Sequence, residues 1–327
     1  MLRKRKTTIT REVDRRTALR MARVFEAYRV MSWRWPCPPP ALGLRDAANA
    51  DTVGPQPLHP ENTAGWARIT SERVTEFMYT VTILNNGEWV APGTVIYLHA
   101  FGRHDPVKIV QNFYLVQGRG HTILIDTGID NLEGYLTEEQ VGRFGPAPSR
   151  TTEALLREAG VAPEDVDTLI LTHLHFDHYI NARLFPNARI IVNRREWLYV
   201  LMPESKRYAP RVGFPREVFG WLSNEAWERL ELVDGEVEVL PGIRVIWTGG
   251  HSPGHQMVTV ETAQGTVMIP GDEIYMYENL EADIPIGYYY NFENVVAAMD
   301  LIRGMDVIVL PAHDPKVHER YPSSQIG

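Results

Sequence analysis

Cysteine is nearly absent from this chain. Cys37 stands alone among 327 residues, which excludes an internal disulfide and a structural zinc site built from cysteines. There is no run of about 18 apolar residues, so no segment is expected to span a membrane. Positive charge is in deficit: 33 Lys and Arg against 41 Asp and Glu leave a net charge of −8, which argues against a nucleic-acid partner. No internal repeat is visible. No apolar stretch follows the basic N-terminus as a secretory signal would require, and a cytoplasmic protein is expected.

What is there is the mixture of an ordinary globular chain, 44% hydrophobic and 23% charged, long enough for one large domain with or without an appendage. Residues 1–30 carry ten Lys and Arg against Glu12, Asp14 and Glu26. Residues 17–30 space Leu19, Met21, Val24 and Phe25 roughly as a short amphipathic helix would. This segment reads as a marginally helical extension or as a basic docking arm. Residues 31–65 hold Pro36, Pro38, Pro39, Pro40, Pro55, Pro57 and Pro60 and read as a linker. Residues 1–70 are therefore expected to be a basic, proline-rich extension without a core, and residues 71–327 the folded domain.

From about residue 74 the texture is that of strands. A β-rich run from Phe77 to Leu84 is expected to turn at Asn85-Asn86-Gly87 and return as Thr94-Val95-Ile96-Tyr97-Leu98. Gln111 to Val116 and Thr122 to Ile125 follow as strands, the second ending in Asp126-Thr127-Gly128. Asp126 is placed either to reach a metal ligand from behind or to cap the following turn. Helical and strand signals then alternate: a helix from Thr151 closed by Gly160, a helix from Arg194 to Leu201, a helical excursion over residues 203–232, and a helix capped by Asn291 and stopped by Gly304. Strands interleaved with helices, with polar clusters at strand ends, imply a layered α/β fold whose site lies on one sheet edge.

The chemistry concentrates in Thr172-His173-Leu174-His175-Phe176-Asp177-His178, directly after the apolar run Thr168-Leu169-Ile170-Leu171. On such a loop His173 and His175 can face one metal while Asp177 and His178 face another. Imidazole and carboxylate are the donor set of zinc and similar divalent ions. Three further strand ends supply His251, Asp272 and His313, which makes seven candidate ligands, five imidazoles and two carboxylates.

The order HxHxDH, then His, then Asp, then His resembles the metallo-β-lactamase superfamily, and within it the N-acyl-homoserine lactone lactonases, the quorum-quenching lactonases. The resemblance runs from about residue 74 onward. It rests on Leu124-Ile125-Asp126-Thr127-Gly128, on residues 172–178, on Gly250-His251-Ser252-Pro253-Gly254-His255-Gln256, on Asp272 with Tyr275, and on His313-Asp314. It implies an αββα sandwich with two divalent ions, zinc first and Fe, Mn or Co as alternatives. His173, His175 and His251 would hold one ion, Asp177, His178 and His313 the other, and Asp272 would bridge.

A bridging hydroxide would then open a small-molecule lactone or ester. Tyr275 would donate a hydrogen bond to the carbonyl oxygen or the ring, and Asp177 or Asp272 would return a proton to the leaving alkoxide. Read without the resemblance, Tyr275 is equally a buried aromatic beside Ile274 and Met276. Asp126 and His255 would support ligands from behind. Phe176 and Tyr288-Tyr289-Tyr290 would wall an acyl pocket, or simply pack. The main rivals are a glyoxalase-type thioesterase or another ester hydrolase of the superfamily, and a non-catalytic metal-binding scaffold; whether homodimers form stays open.

Overall fold

The computed structural model describes residues 78–130, 147–202, 214 and 216–327. The expected helix at residues 17–30, the proline-rich segment and residues 203–213 of the excursion lie outside these. In chain order the strands are β1 (Thr80–Ala91), β2 (Val107–Gly118), β3 (His121–Ile125), β4 (Ala147–Pro148), β5 (Thr168–Ile170), β6 (Arg189–Asn193), β7 (Leu230–Val233), β8 (Glu236–Leu240), β9 (Ile243–Trp247), β10 (Gln256–Thr262), β11 (Gly265–Ile269), β12 (Ile308–Val309) and β13 (Gln325–Ile326). The helices are α1 (Gly93–Ile96), α2 (Thr152–Glu158), α3 (Phe176–Tyr179), α4 (Arg194–Leu201), α5 (Arg216–Asn224), α6 (Tyr277–Glu281), α7 (Phe292–Arg303) and α8 (Lys316–Arg320). No helix among the described residues is long and apolar enough to cross a membrane.

Two sheets form among the described residues. One runs β13-β1-β2-β3-β5-β6-β7, with β4 on β1, and the other runs β12-β11-β10-β9-β8. The period-two alternation of strand side chains decides the layering. Phe113 and Leu115 of β2 face one core, shared with Leu155 and Leu156 of α2 and Val218, Phe219 and Leu222 of α5. Their neighbours Tyr114 and Val116 face a second core, against Val245, Val258, Val260, Val267 and Ile269 of the other sheet. The far side of that sheet presents Met257 and Met268 to Val295, Met299 and Ile302 of α7. Helices cover both outer faces of two packed sheets, which is the expected αββα sandwich.

Three local expectations are corrected. Asn85-Asn86-Gly87 does not end a hairpin: β1 continues through it, and the register against β2 slips between Asn85 and Glu88. The bulge turns Asn86 inward, where its amide donates to Asp130 and Thr152 and its oxygen accepts from the Ile129 amide. Thr94 to Ile96, read as strand, lie in the one-turn helix α1, and the partner of β1 is β2. Local β propensity lost there to a long-range pairing. Finally, the polar clusters do not gather on the edge of a single sheet. They follow β3 and β5 in one sheet and β9, β11 and β12 in the other, at strand ends.

Candidate metal centre

Residues 172–178 leave β5 and close into α3, whose first turn carries Asp177 and His178 while His175 precedes it in extended conformation. That switch of backbone divides the motif: His173 and His175 turn to one side, Asp177 and His178 to the other. His173, His175, His251 and Asp272 form one buried group of potential ligands, and Asp177, His178, Asp272 and His313 a second. All seven sequence-predicted positions are brought together.

In the first group His175 Nδ1 lies 2.9 Å from both His173 Nε2 and His251 Nε2. Asp272 Oδ2 is 3.3 Å from His251 Nε2 and 3.7 Å from His173 Nε2. In the second, Asp272 Oδ1 is 3.1 Å from His178 Nε2 and 3.0 Å from His313 Nε2. Asp177 Oδ2 is 3.3 Å from His178 Nε2 and 3.8 Å from His313 Nε2. Asp272 thus gives one oxygen to each group.

The outward-facing nitrogens fix which atoms carry protons. Thr172 Oγ1 donates its one proton to Asp126, 2.9 Å from Oδ2, so it can only accept from His173 Nδ1 at 3.1 Å. His251 Nδ1 donates to the Tyr288 carbonyl at 3.0 Å, His313 Nδ1 to the Val110 carbonyl at 2.9 Å, and His178 Nδ1 to Asp126 Oδ2 at 2.8 Å. Each Nε2 therefore turns a lone pair inward. Two such lone pairs meet at His175 Nδ1, which has at most one proton to share. His178 Nε2 is buried with no hydrogen-bond partner. Converging lone pairs need a cation among them, and ring nitrogens with carboxylate oxygens are the donors zinc takes. The residues present fit two divalent ions.

The electrostatics differ between the two groups: the first group's imidazoles are held neutral, while the second group's are drawn toward the cationic form by the carboxylates around them. Burial, helped by the imidazoles of His178 and His175, holds His173 well below its ordinary pKa; burial and His251 push His175 down to about 3. Burial also keeps His251 low. These are the neutral imidazoles a metal bond requires. For His178 and His313 burial acts in the same direction, but Asp272 and other nearby carboxylates outweigh it and raise both. Burial opposes ionisation of Asp272, yet His178, His313 and His251 overcome it and hold the carboxyl well below its usual range.

Asp126 resolves toward support of a ligand. Its φ of +61° is left-handed, a conformation costing on the order of 1 kcal/mol or more outside glycine, and it aims the carboxylate at the Thr172 amide (2.8 Å) and His178. His255 Nε2 accepts from the Asp272 amide at 3.0 Å, so it holds the bridging position through the backbone. The Tyr275 hydroxyl lies 3.3 Å from His251 Nδ1 and its ring 5.3 Å from that of His313.

Phe176 is buried against Trp89, edge to face at 5.8 Å, and Trp89 in turn lies 6.3 Å from His313. On the other side Phe214 and Tyr288 sit 4.9 and 5.9 Å from His175. Tyr289 and Tyr290 are exposed. Sequence reasoning missed Trp89, Phe214, Gln111 and two carboxylates, Glu196 and Glu273. Gln111 donates to the Asp177 carbonyl at 2.9 Å. Glu273 Oε1 takes the Thr248 hydroxyl at 2.6 Å and the Gly250 and His251 amides at 2.8 and 3.1 Å. Burial, offset in part by those hydrogen bonds, pushes the Glu273 carboxyl up to about 7.

Comparison with known proteins agrees with this architecture. The family model of the metallo-beta-lactamase superfamily matches residues 108–313, a span that holds both ligand groups. An N-acyl homoserine lactonase of Bacillus cereus is 32% identical over 209 residues, covering 60% of this chain and 75% of the relative. A probable metal-dependent hydrolase from Staphylococcus aureus is structurally similar, with a TM-score of 0.61 and 23% identity over 73% of this chain and 90% of that one. An N-acyl homoserine lactone hydrolase, solved with its product N-hexanoyl-L-homoserine at the catalytic metal center, gives a TM-score of 0.58 at 24% identity, covering 75% and 98%. At such identities the structural likeness speaks for the fold. With the two-sheet sandwich, the paired ligand groups and the family match in agreement, the chain belongs to the metallo-beta-lactamase superfamily and is a hydrolase of that superfamily.

Proposed function

We propose that the protein is a dinuclear lactonase that opens N-acyl-homoserine lactones, with His173, His175, His251 and Asp272 holding one ion and Asp177, His178, His313 and Asp272 the other. The observation that carries this reading is the division of Asp272, with Oδ2 turned to the first group and Oδ1 to the second. Two divalent ions held there would supply a water deprotonated near neutral pH and an electrophile for the carbonyl. Zinc suits the nitrogen-rich donor set best, and a cytoplasmic location belongs to the same reading. The 32%-identical relative named a lactonase of acyl-homoserine substrates supports the substrate class.

The chain's own residues have distinct tasks in this reading. Trp89 and Phe176 beside the second group, with Phe214 and Tyr288 beside the first, give apolar walls suited to an acyl chain. The Tyr275 hydroxyl, at the first group's edge, donates to the substrate's carbonyl oxygen as negative charge grows there. Asp177 turns Oδ2 to both His178 and His313, whereas Asp272 divides its two oxygens between the groups. Asp177 is therefore the better placed to carry the proton to the departing alkoxide.

Turnover of a panel of acyl-homoserine lactones, γ-lactones, thioesters and β-lactams, followed by proton release, tests the reading; hydrolysis of thioesters in preference to lactones would overturn it. Tyr275→Phe is expected to lower kcat about 10- to 100-fold with little change in KM or metal content. Unaltered kcat would return Tyr275 to a packing role. We further assign catalysis to residues 71–327. Removal of residues 1–65 is expected to leave soluble protein with the full far-ultraviolet dichroism of the sandwich; insoluble product would show that the extension packs on the domain.

A further inference from the structure

Glu196 belongs to neither ligand group, yet it touches the loops that carry all three imidazoles of the first. It lies in the opening turn of α4, where Asn193 caps the helix by accepting from the Arg195 amide. The side chain is fully buried and points inward. Oε1 accepts from the Leu174 amide at 3.1 Å, between His173 and His175. Oε2 accepts from the Ser252 hydroxyl at 2.9 Å and the Gly254 amide at 2.8 Å, on the loop that bears His251.

One carboxylate thus spans two loops separated by 56 and 58 positions from it on one side and 22 on the other. The seat has no slack: a Cβ on Gly254 would run into the Glu196 backbone. No hydrogen bond joins Glu196 to the second group's Asp177, His178 or His313: Gln111 donates to the Asp177 carbonyl, Asp126 accepts from the His178 ring, and Val110 accepts from the His313 ring and donates to its carbonyl.

From this asymmetry we infer that Glu196 is a positioning residue for the first ion alone, its carboxylate fixing the distance between the His173–His175 loop and the His251 loop. The inference rests on the dinuclear reading above. A metal ion binds tightly where its ligands already stand at bonding separation, and groups that orient ligands typically govern affinity by about 10- to 100-fold. Glutamine at position 196 keeps the shape but turns an NH₂ toward one of the two loops, where an N–H donor already points. The two loops can no longer be gripped together.

The test is release of metal from the holoprotein by a graded chelator, read by elemental analysis, with circular dichroism alongside. Wild type should hold two ions per chain. Glu196→Gln should surrender one equivalent at about tenfold lower chelator concentration and keep the other at the wild-type point. Ser252→Ala, which removes a single donor, should move the same equivalent in the same direction by less, and it carries the test if Glu196→Gln fails to fold. Release indistinguishable from wild type in the folded variants, or an equal shift of both equivalents, overturns the assignment. Fewer than two ions on wild type would overturn the dinuclear reading itself, and Glu196's role with it.

Discussion

Replacing Asp272 with alanine is expected to cut hydrolysis by at least about a thousandfold while leaving the sandwich folded. Asp272 is the one residue common to both ligand groups, with Oδ1 and Oδ2 on opposite sides. Its removal leaves three imidazoles in one group and Asp177, His178 and His313 in the other, with no group to set the two ions at a common distance. The expected record is a metal content below two per chain, an unchanged far-ultraviolet spectrum, and no turnover. The fold should survive because the strand below it is held independently: Val267 and Met268 of β11 pair with β12, and Ile269 and Met268 with β10. Retention of more than a few per cent of wild-type activity would remove the shared carboxylate from the mechanism.

Stripping both metals should abolish activity and lower the melting temperature by roughly 15–30 °C. An ion at a thousand times its dissociation constant contributes about 4 kcal/mol to the folded state, and two contribute about 8. A domain of this size shifts by about 2–4 °C per kcal/mol. The apoprotein also keeps the first group's ligands crowded, with Nε2 of His173 and of His251 each 2.9 Å from His175 Nδ1. Differential scanning calorimetry of the holo and chelated protein, followed by readdition of zinc, measures both effects. An apoprotein melting at the holoprotein's temperature would mean that no tightly held ion exists. Activity that fails to return with zinc while returning with manganese, iron or cobalt would reassign the native metal.

The parts of the site that could be read in the sequence are those whose ligands crowd one short segment or terminate an apolar strand. Residues 172–178 place four polar ligands after β5, and each of His251, Asp272 and His313 follows a recognisable strand. What could not be read is what holds them. Glu196 sits in a helix of unremarkable composition and Glu273 beside a ligand, and nothing in their spacing says that they are buried or which amides they reach. Trp89 and Phe214 come near the site only through β1 and the approach to α5. Asp126 allowed two readings, and only its left-handed backbone, which swings the carboxylate away from the following turn and onto His178, decides between them. The Asn85-Asn86-Gly87 error has the same origin: a strong local turn signal lost to Asn86's buried partners across the fold.

The pairing of His313 with Val110, 203 positions apart, sets an order of events during synthesis. A nascent chain that has exposed everything through β11 and Asp272 already owns the four residues of the first ligand group. The second group stays open until β12 and the segment after it leave the ribosome and the backbones of Ala312 and His313 dock on β2 through Asn112 and Val110. The second ligand group is therefore completed only after the first, in the order in which translation delivers their residues.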